Sequence, residues 1–248
     1  QLYHGEGFSA PVTYPVDTWI HVRIAVSGTR AEVFIDDMET PAVFIPELKR
    51  DVVSGGVGLT AGSQGPAWFT GFRYEPGPVE LKGSGSPPPP APDGTIRSWE
   101  VSSPFDAALL RDLDRLADWD GLDALTWTRL PTEPTGLANL ARVQGIAPRA
   151  NAVFARAKLI SDTDQIKKLS FGFSDAVKVY FDGRALFSGV DLYRSRDYRY
   201  LGTIGYHDAV HLPLAKGENT VWFAVAESFG GWGLQARLDD PKGVRTAP

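Results

Sequence analysis

Cysteine is absent from this 248-residue chain, which excludes disulfides, Cys-ligated metals and thiol nucleophiles without fixing a redox compartment. Methionine occurs once and histidine four times, so the usual general bases and soft metal ligands are scarce as well. No apolar run approaches the roughly 20 residues that span a bilayer as a helix, so membrane insertion is not expected. The formal charge is −5 with no long basic block, which argues against nucleic acid or an anionic membrane as the main partner. An initiator Met and a signal-like start are also missing: the chain opens at Gln1-Leu2-Tyr3 in strand-like sequence. The expectation is that a true N-terminus, with any targeting information, lies upstream. What the chain does have is glycine (26), proline (19) and seven tryptophans within a 43% hydrophobic composition. That combination suits a turn-rich all-β protein and excludes a helix bundle.

The clearest boundary is Gly83-Ser84-Gly85-Ser86-Pro87-Pro88-Pro89-Pro90-Ala91-Pro92-Asp93-Gly94. A Gly/Ser piece followed by a stiff polyproline piece forms neither ladder nor core, so it reads as a spacer between folded units. The expected organisation is a first domain at 1–78, a linker at 79–94 and a second domain at 95–243, each an antiparallel β-sandwich.

In the first domain, Thr18 to Val26 alternates Trp19, His21 and Arg23 against Ile20, Val22, Ile24 and Val26. Period two over this length predicts a strand with one apolar face. Gly28 turns the chain into a hairpin partner, Ala31 to Asp36, and Gly55–Thr60 and Ala67–Tyr74 read as two further strands. A sandwich built from these alone would be small and open-edged. The order Trp19-x-x-Val22-x-Ile24, Ala31-Glu32-Val33-Phe34-Ile35-Asp36, Gly55-Gly56-Val57-Gly58-Leu59 and Ala67-x-Phe69-x-x-Phe72 resembles the C-terminal half of concanavalin A-like lectin/glucanase sandwiches, including laminin-G-like domains. That resemblance covers residues 1–75 and implies a domain with further strands before this point. It brings no paired-carboxylate glycosidase motif with it.

The second domain begins with a predicted short helix. Ser103 or Asp106 can cap the start of a run in which Leu109, Leu113 and Leu116 share a helical face. Trp127 to Val143 reads as irregular chain and a strand, interrupted by Pro131 and Pro134. From Ala152 strands come quickly: Val153–Leu159, Lys168–Phe173, Ala176–Phe181, His207–Leu212 and Thr220–Val225. Two motifs, Lys178-Val179-Tyr180-Phe181-Asp182-Gly183-Arg184 and Leu212-x-Leu214-x-Lys216-Gly217-Glu218-Asn219-x-Val221, are similar to the galactose-binding-like jelly roll in the version that forms the sugar-binding domain of family 2 glycoside hydrolases. In that family these residues shape turns and are not catalytic.

Tyr193, Arg194, Arg196, Tyr198 and Tyr200 lie in one segment dense in tyrosine and arginine. Tyrosines stack on sugar C–H faces and arginine forks hold hydroxyls or carboxylates; equally, the arginines pair with Asp191 and Asp197 and merely order the loop. Trp232, flanked by Gly230, Gly231 and Gly233, is either an exposed ligand platform or a core residue, since Trp232, Leu234 and Ala236 alternate onto one face. His4 and Glu6 form a polar group beside an apparent concave-face strand. Asp162 and Asp164, with Ser161 and Thr163, offer oxygens to a structural calcium or simply make a solvated turn. His207 and His211 share a strand face but stand ~13 Å apart at ~3.3 Å per residue, too far for one ion.

Hydrolysis needs a close carboxylate pair or a nucleophile beside a base. No spacing selects such a pair among acids like Glu6, Asp17 or Glu227, and Ser228 lacks the strand-turn-helix frame of a nucleophile elbow. No catalytic residue is therefore expected, and no cofactor. The leading expectation is a non-catalytic carbohydrate-recognition or accessory protein, bacterial and exported to the periplasm or exterior, with a glycan as partner. The rivals are a glycan-metabolising enzyme whose catalytic groups lie upstream or across both domains, and a purely structural assembly protein.

Overall fold

The computed structural model describes residues 10, 12, 15, 17–48, 52–61, 67–83, 90–143, 145, 147–192, 204–228 and 231–247. Its sheets are antiparallel throughout, and the helical pieces among these residues are single 3-10 turns. The chain falls into two compact units, Glu6–Pro87 and Pro88–Pro248.

In the first unit, β1 (Val22–Ser27) and β2 (Arg30–Ile35) form the expected hairpin, turned at Gly28 with φ 59°. A short β3 (Val43–Ile45), not foreseen from the sequence, adds to the other edge of β2. The register aligns Val22, Ile24 and Val26 with Ile35, Val33 and Ala31, and these with Val43 and Ile45, so one sheet face is wholly aliphatic. The opposite face carries Arg23, Phe34, Glu32 and Phe44. That second face is covered: Arg23 Cζ lies 3.9 Å from the centre of the Phe34 ring, Lys82 Nζ pairs with Glu39 at 2.6 Å, and the Gly83 N–H donates to the Glu32 carboxylate. The aliphatic face is open along β1, where Val22, Ile24 and Val26 are exposed, Ile24 at 64%. The strands expected at 55–60 and 67–74 are not formed. Neither segment pairs with a neighbour among the described residues, and Val57, Leu59, Trp68, Phe69 and Phe72 are exposed, because alternation yields a strand only where an edge and an apolar layer receive it.

The second unit comprises β4 (Ser98–Ser102), β5 (Trp127–Pro131), β6 (Ala138–Asn139), β7 (Ala152–Ser161), β8 (Gln165–Ser174), β9 (Ala176–Phe181), β10 (Arg184–Val190), β11 (Asp208–Leu214), β12 (Gly217–Ala226), β13 (Gly233–Leu238) and β14 (Val244–Ala247). Seven strands make one sheet, ordered β10-β9-β12-β7-β4-β5 with β14 also on β7, and β11-β8-β13-β6 make the other. Between them lies the core, in which Trp99, Val153, Ala155, Leu159, Val179, Phe223 and Val225 meet Leu169, Phe171, Phe173, Leu212, Leu234 and Leu238. The β9–β10 hairpin turns on Asp182 and Gly183, both at positive φ (50° and 70°), as an Asp-Gly turn requires. Asn219 fastens the other anticipated turn, accepting from the Ala215 N–H and donating to the Ala215 and Gly217 carbonyls.

Three expectations change here. The linker is shorter than 79–94: residues 82 and 83 bond within the first unit, while Ala91 is buried in the second, its N–H donating to the Pro134 carbonyl, and the Gly94 carbonyl accepts from the Leu238 N–H. The predicted helix from Ala107 is instead a set of 3-10 turns at Ala107–Leu110, Leu116–Asp118 and Asp120–Ala124, the first capped by Asp106, one of the two candidates. Tertiary donors claim the carbonyls a helix would use: Lys178 Nζ takes Leu110, the Tyr180 hydroxyl takes Leu113, and the Ala185 N–H takes Asp114. Leu113 and Leu116 then pack with Phe105, Phe154 and Tyr180 in a second apolar cluster on the outer side of the seven-stranded sheet. Lastly, Trp232 is not a ligand platform. It is 1% exposed in the main core, and its Nε1 donates to the Val225 carbonyl at 3.2 Å.

Three outcomes follow from this packing. A fragment of residues 90–248 melts cooperatively and at higher temperature than 95–243, which lacks Ala91, Gly94 and β14, whereas residues 1–87 alone, with an open aliphatic face, show no sharp transition. Differential scanning calorimetry of the three fragments checks this, and a cooperative melt for 1–87 would contradict the reading. Trp232→Ala destabilises the protein by about 3–5 kcal/mol, the range for truncating a buried aromatic, measured by urea unfolding. Burial, with the Asp114 charge nearby as a lesser cause, pushes the Tyr180 phenol far above its ordinary value. A raised acid contributes stability below its unfolded pKa of about 10, and that contribution is lost as pH rises beyond it. Urea midpoints between pH 9 and about 11.5 therefore fall more steeply for the native chain than for Tyr180→Phe; parallel slopes would contradict the assignment.

Candidate functional site

Most of the sequence-predicted binding residues, namely Tyr193, Arg194, Arg196, Tyr198 and Tyr200 in the loop and His4 and Glu6 near the start, lie outside the described residues. Trp232 is in the core, as described above. Asp162 and Asp164 are exposed in the β7–β8 turn, where Asp164 Oδ1 accepts from the Lys216 N–H at 2.7 Å and the Asp162 N–H donates to the Gly243 carbonyl at 2.9 Å. These bonds tie three turns together, and among the described residues no group of three or more His, Asp or Glu gathers to hold a metal. Asp208–Leu214 is a strand, so the separation of His207 and His211 is that of an extended chain.

What the fold does assemble is a patch on the outer face of the seven-stranded sheet. Inward alternation on β7 places Val153, Ala155, Ala157 and Leu159 in the core, so Phe154, Arg156 and Lys158 face outward. On β12 the same rule buries Val221, Phe223 and Val225 between the sheets and turns Trp222 out. Cross-strand pairing then sets one row across four strands: Arg129 of β5 opposite Glu100 of β4, Glu100 opposite Arg156 of β7, and Arg156 opposite Trp222 of β12. Trp127 stands in the adjacent row, opposite Ser102.

The row is held by specific contacts. Arg156 Nε donates to Glu100 Oε2 at 2.9 Å, and its guanidinium carbon lies 3.9 Å from the centre of the Trp127 ring and 5.1 Å from that of Trp222. The two indoles meet edge to face, 5.3 Å apart at 81°, and Trp222 meets Phe154 in the same manner at 5.7 Å. Arg129 Nε donates to Ser98 Oγ at 3.0 Å. Both tryptophans are half-buried, and the Arg156 and Glu100 side chains keep 28% and 42% of their surface. A cation on an aromatic face beside a carboxylate is worth roughly 0.5–2 kcal/mol, enough to hold the guanidinium in one orientation. Chemically, the patch offers ring faces and edges, fixed N–H donors and a carboxylate acceptor in one plane. It holds no histidine or hydroxyl nucleophile in the row itself.

Reading along single strands missed this patch. Its signal was present as the outward-facing members of two alternating runs, but the adjacency of β4, β5, β7 and β12 is a property of the sheet and not of any one segment. A second polar cluster braces the end of β12: the Ser228 N–H and hydroxyl both donate to Asp175 Oδ2, at 2.8 and 2.7 Å, and Asn151 Nδ2 donates to the Glu227 carbonyl at 3.2 Å.

No protein-family model matches the chain, and no curated protein matches it either. Among solved structures it is similar to the structure of a family 35 carbohydrate binding module from an environmental isolate, at 14% identity over 39% of this chain and 72% of that one, with a TM-score of 0.31. A likeness at that level carries no weight on ligand or activity.

Proposed function

We propose that the protein is a non-catalytic carbohydrate-recognition or accessory module, and that residues 88–248 present sugar on the outer face of the seven-stranded sheet. The observation that carries this reading is the Arg156 guanidinium packed against Trp127 and Trp222 and tied to Glu100. Sugars present alternating C–H faces and hydroxyls, which suit aromatic surfaces flanked by fixed donors and acceptors. Shallow, half-exposed sites of this type give affinities of about millimolar to micromolar. The chain's place in the cell follows from the partner: a glycan-binding module fits the periplasm or the exterior. The first unit enters this reading as a lectin-like or laminin-G-like companion. The competing reading is a glycan-metabolising enzyme whose catalytic groups lie upstream or across both domains.

A glycan array probed with the intact protein, followed by calorimetric titration of the best ligand, tests the proposal. Trp222→Ala and Trp127→Ala each weaken binding by about tenfold or more while retaining a cooperative melt, lowered by the lost contacts with Phe154 and Arg156. Tyr198→Ala serves as the comparison, because its segment is the other surface suggested by sequence. If both tryptophan variants keep full affinity and Tyr198→Ala loses it, the site belongs to that segment; turnover of any arrayed glycan would instead favour the enzyme.

A further inference from the structure

We propose that the sheet-face site selects acidic saccharides, those bearing a carboxylate or sulfate, over neutral ones; this rests on the reading that the face binds sugar. The chain as a whole is acidic, with a formal charge of −5, and the segment Phe105–Leu125 that covers one part of this face is rich in aspartate, yet the strands of the open part carry an excess of positive charge. In the central row one carboxylate, Glu100, stands between two guanidinium groups, Arg129 and Arg156. The neighbouring rows add Lys158, opposite Thr220, and Arg245, opposite Ile160, against the single acid Glu218, which pairs with Lys158 at 2.8 Å. Arg129 and Arg245 are exposed, so the excess of positive charge is available to a ligand.

The two central arginines are also anchored in a way that prepares them for an anion. Arg156 uses Nε for Glu100 and Arg129 uses Nε for Ser98, and neither anchor uses the terminal nitrogens, which form the fork that grips a carboxylate or sulfate through two parallel bonds. A neutral sugar gains only stacking and hydroxyl bonds on this surface. An acidic one adds charge-assisted bonds beside aromatic groups that displace water, where Coulombic attraction is less screened than in bulk solvent. Trp127 and Trp222 distinguish this site from a plain basic patch, because they supply the stacking area a pyranose ring uses and a compact inorganic anion does not.

The test uses the intact protein in titrations with polygalacturonate (carboxylate), dextran sulfate (sulfate), neutral dextran and a single-stranded oligonucleotide, at about 20 mM and about 300 mM salt. At least one acidic polysaccharide binds about tenfold or more tightly than dextran, weakens as salt rises, and loses about tenfold in affinity in Arg129→Ala, an exposed substitution that leaves the melt unchanged. Trp222→Ala weakens the same ligand. The two acidic polymers report whether the face prefers carboxylate or sulfate, and either preference supports the proposal. Equal binding of acidic and neutral polymers, still sensitive to Trp222→Ala, overturns the acidic selectivity and leaves sugar recognition standing. Binding of the oligonucleotide as tightly as the acidic polysaccharide, or acidic binding indifferent to both Arg129→Ala and Trp222→Ala, overturns the proposal as diffuse charge attraction. No binding of any polysaccharide ends both readings.

Discussion

The pairing of β7 with β12 is the constraint on which the second unit depends. These strands run against each other over ten residues, from Gly217 opposite Ser161 to Ala226 opposite Ala152, and lie at the centre of the seven-stranded sheet. Strand side chains alternate strictly, so this one register decides both faces at once. It sends Val153, Ala155, Ala157 and Leu159 with Val221, Phe223 and Val225 into the core, and it sends Phe154, Arg156, Lys158 and Trp222 outward. A slip of one residue would drive Arg156 between the sheets, at a desolvation cost no packing there repays. The hydrophobic core therefore fixes the position of the proposed site.

The outer face is divided by what covers it. Toward the Ala152 end of β7, the segment from Phe105 to Leu125 buries Phe154, Tyr180, Ala224 and Ala226. It is fastened by Lys178, whose ammonium meets both the Leu110 carbonyl and Asp114, and by the Tyr180 hydroxyl on Leu113. Lys178 is buried at 6% exposure, so these two partners are what make its burial tolerable. Toward the other end the cover stops, and the row containing Arg156 begins one pair beyond Phe154. Phe154 belongs to both regions, stacking with Phe105 under the cover and meeting Trp222 at its margin. The open patch is thus rigid on one side because its aromatic floor continues beneath the covering segment.

Much of this architecture was legible in sequence, and the failures share a cause. Period-two runs located β7, β8, β9, β11 and β12, and the Asp182-Gly183 and Gly217-Glu218-Asn219 turns were identifiable because their chemistry is local. Segments whose state is decided by distant partners were misread. Ala107 to Ala117 has a helical pattern but yields its carbonyls to β9 and β10, and Gly55–Thr60 and Ala67–Tyr74 alternate like strands without finding an edge. Trp232 posed the same problem in another form: glycines around a tryptophan suit a platform or a buried ring equally, and only the stacking of two sheets over it decides. The patch at Arg156 was illegible for the reason that makes it interesting, since its residues come from four strands separated by up to 122 positions (Glu100 to Trp222) and meet only through sheet order.

The choice of arginine at position 156 follows from that surrounding. A lysine opposite Glu100 could satisfy the carboxylate as a point charge, but it could not lie flat against Trp127 while holding that bond, because an ammonium has no plane to stack. The guanidinium does both, its edge bonded to Glu100 and its face on the indole. The stacked geometry also lowers the entropy lost on binding, because the side chain is already confined before any ligand arrives. Glu100 has a double effect here. It neutralises part of the charge that would otherwise attract any polyanion, and it fixes the orientation of the guanidinium that remains. A surface built in this way gives up raw electrostatic attraction and gains geometric discrimination, the balance that the proposed sugar recognition requires and a nonspecific basic patch lacks.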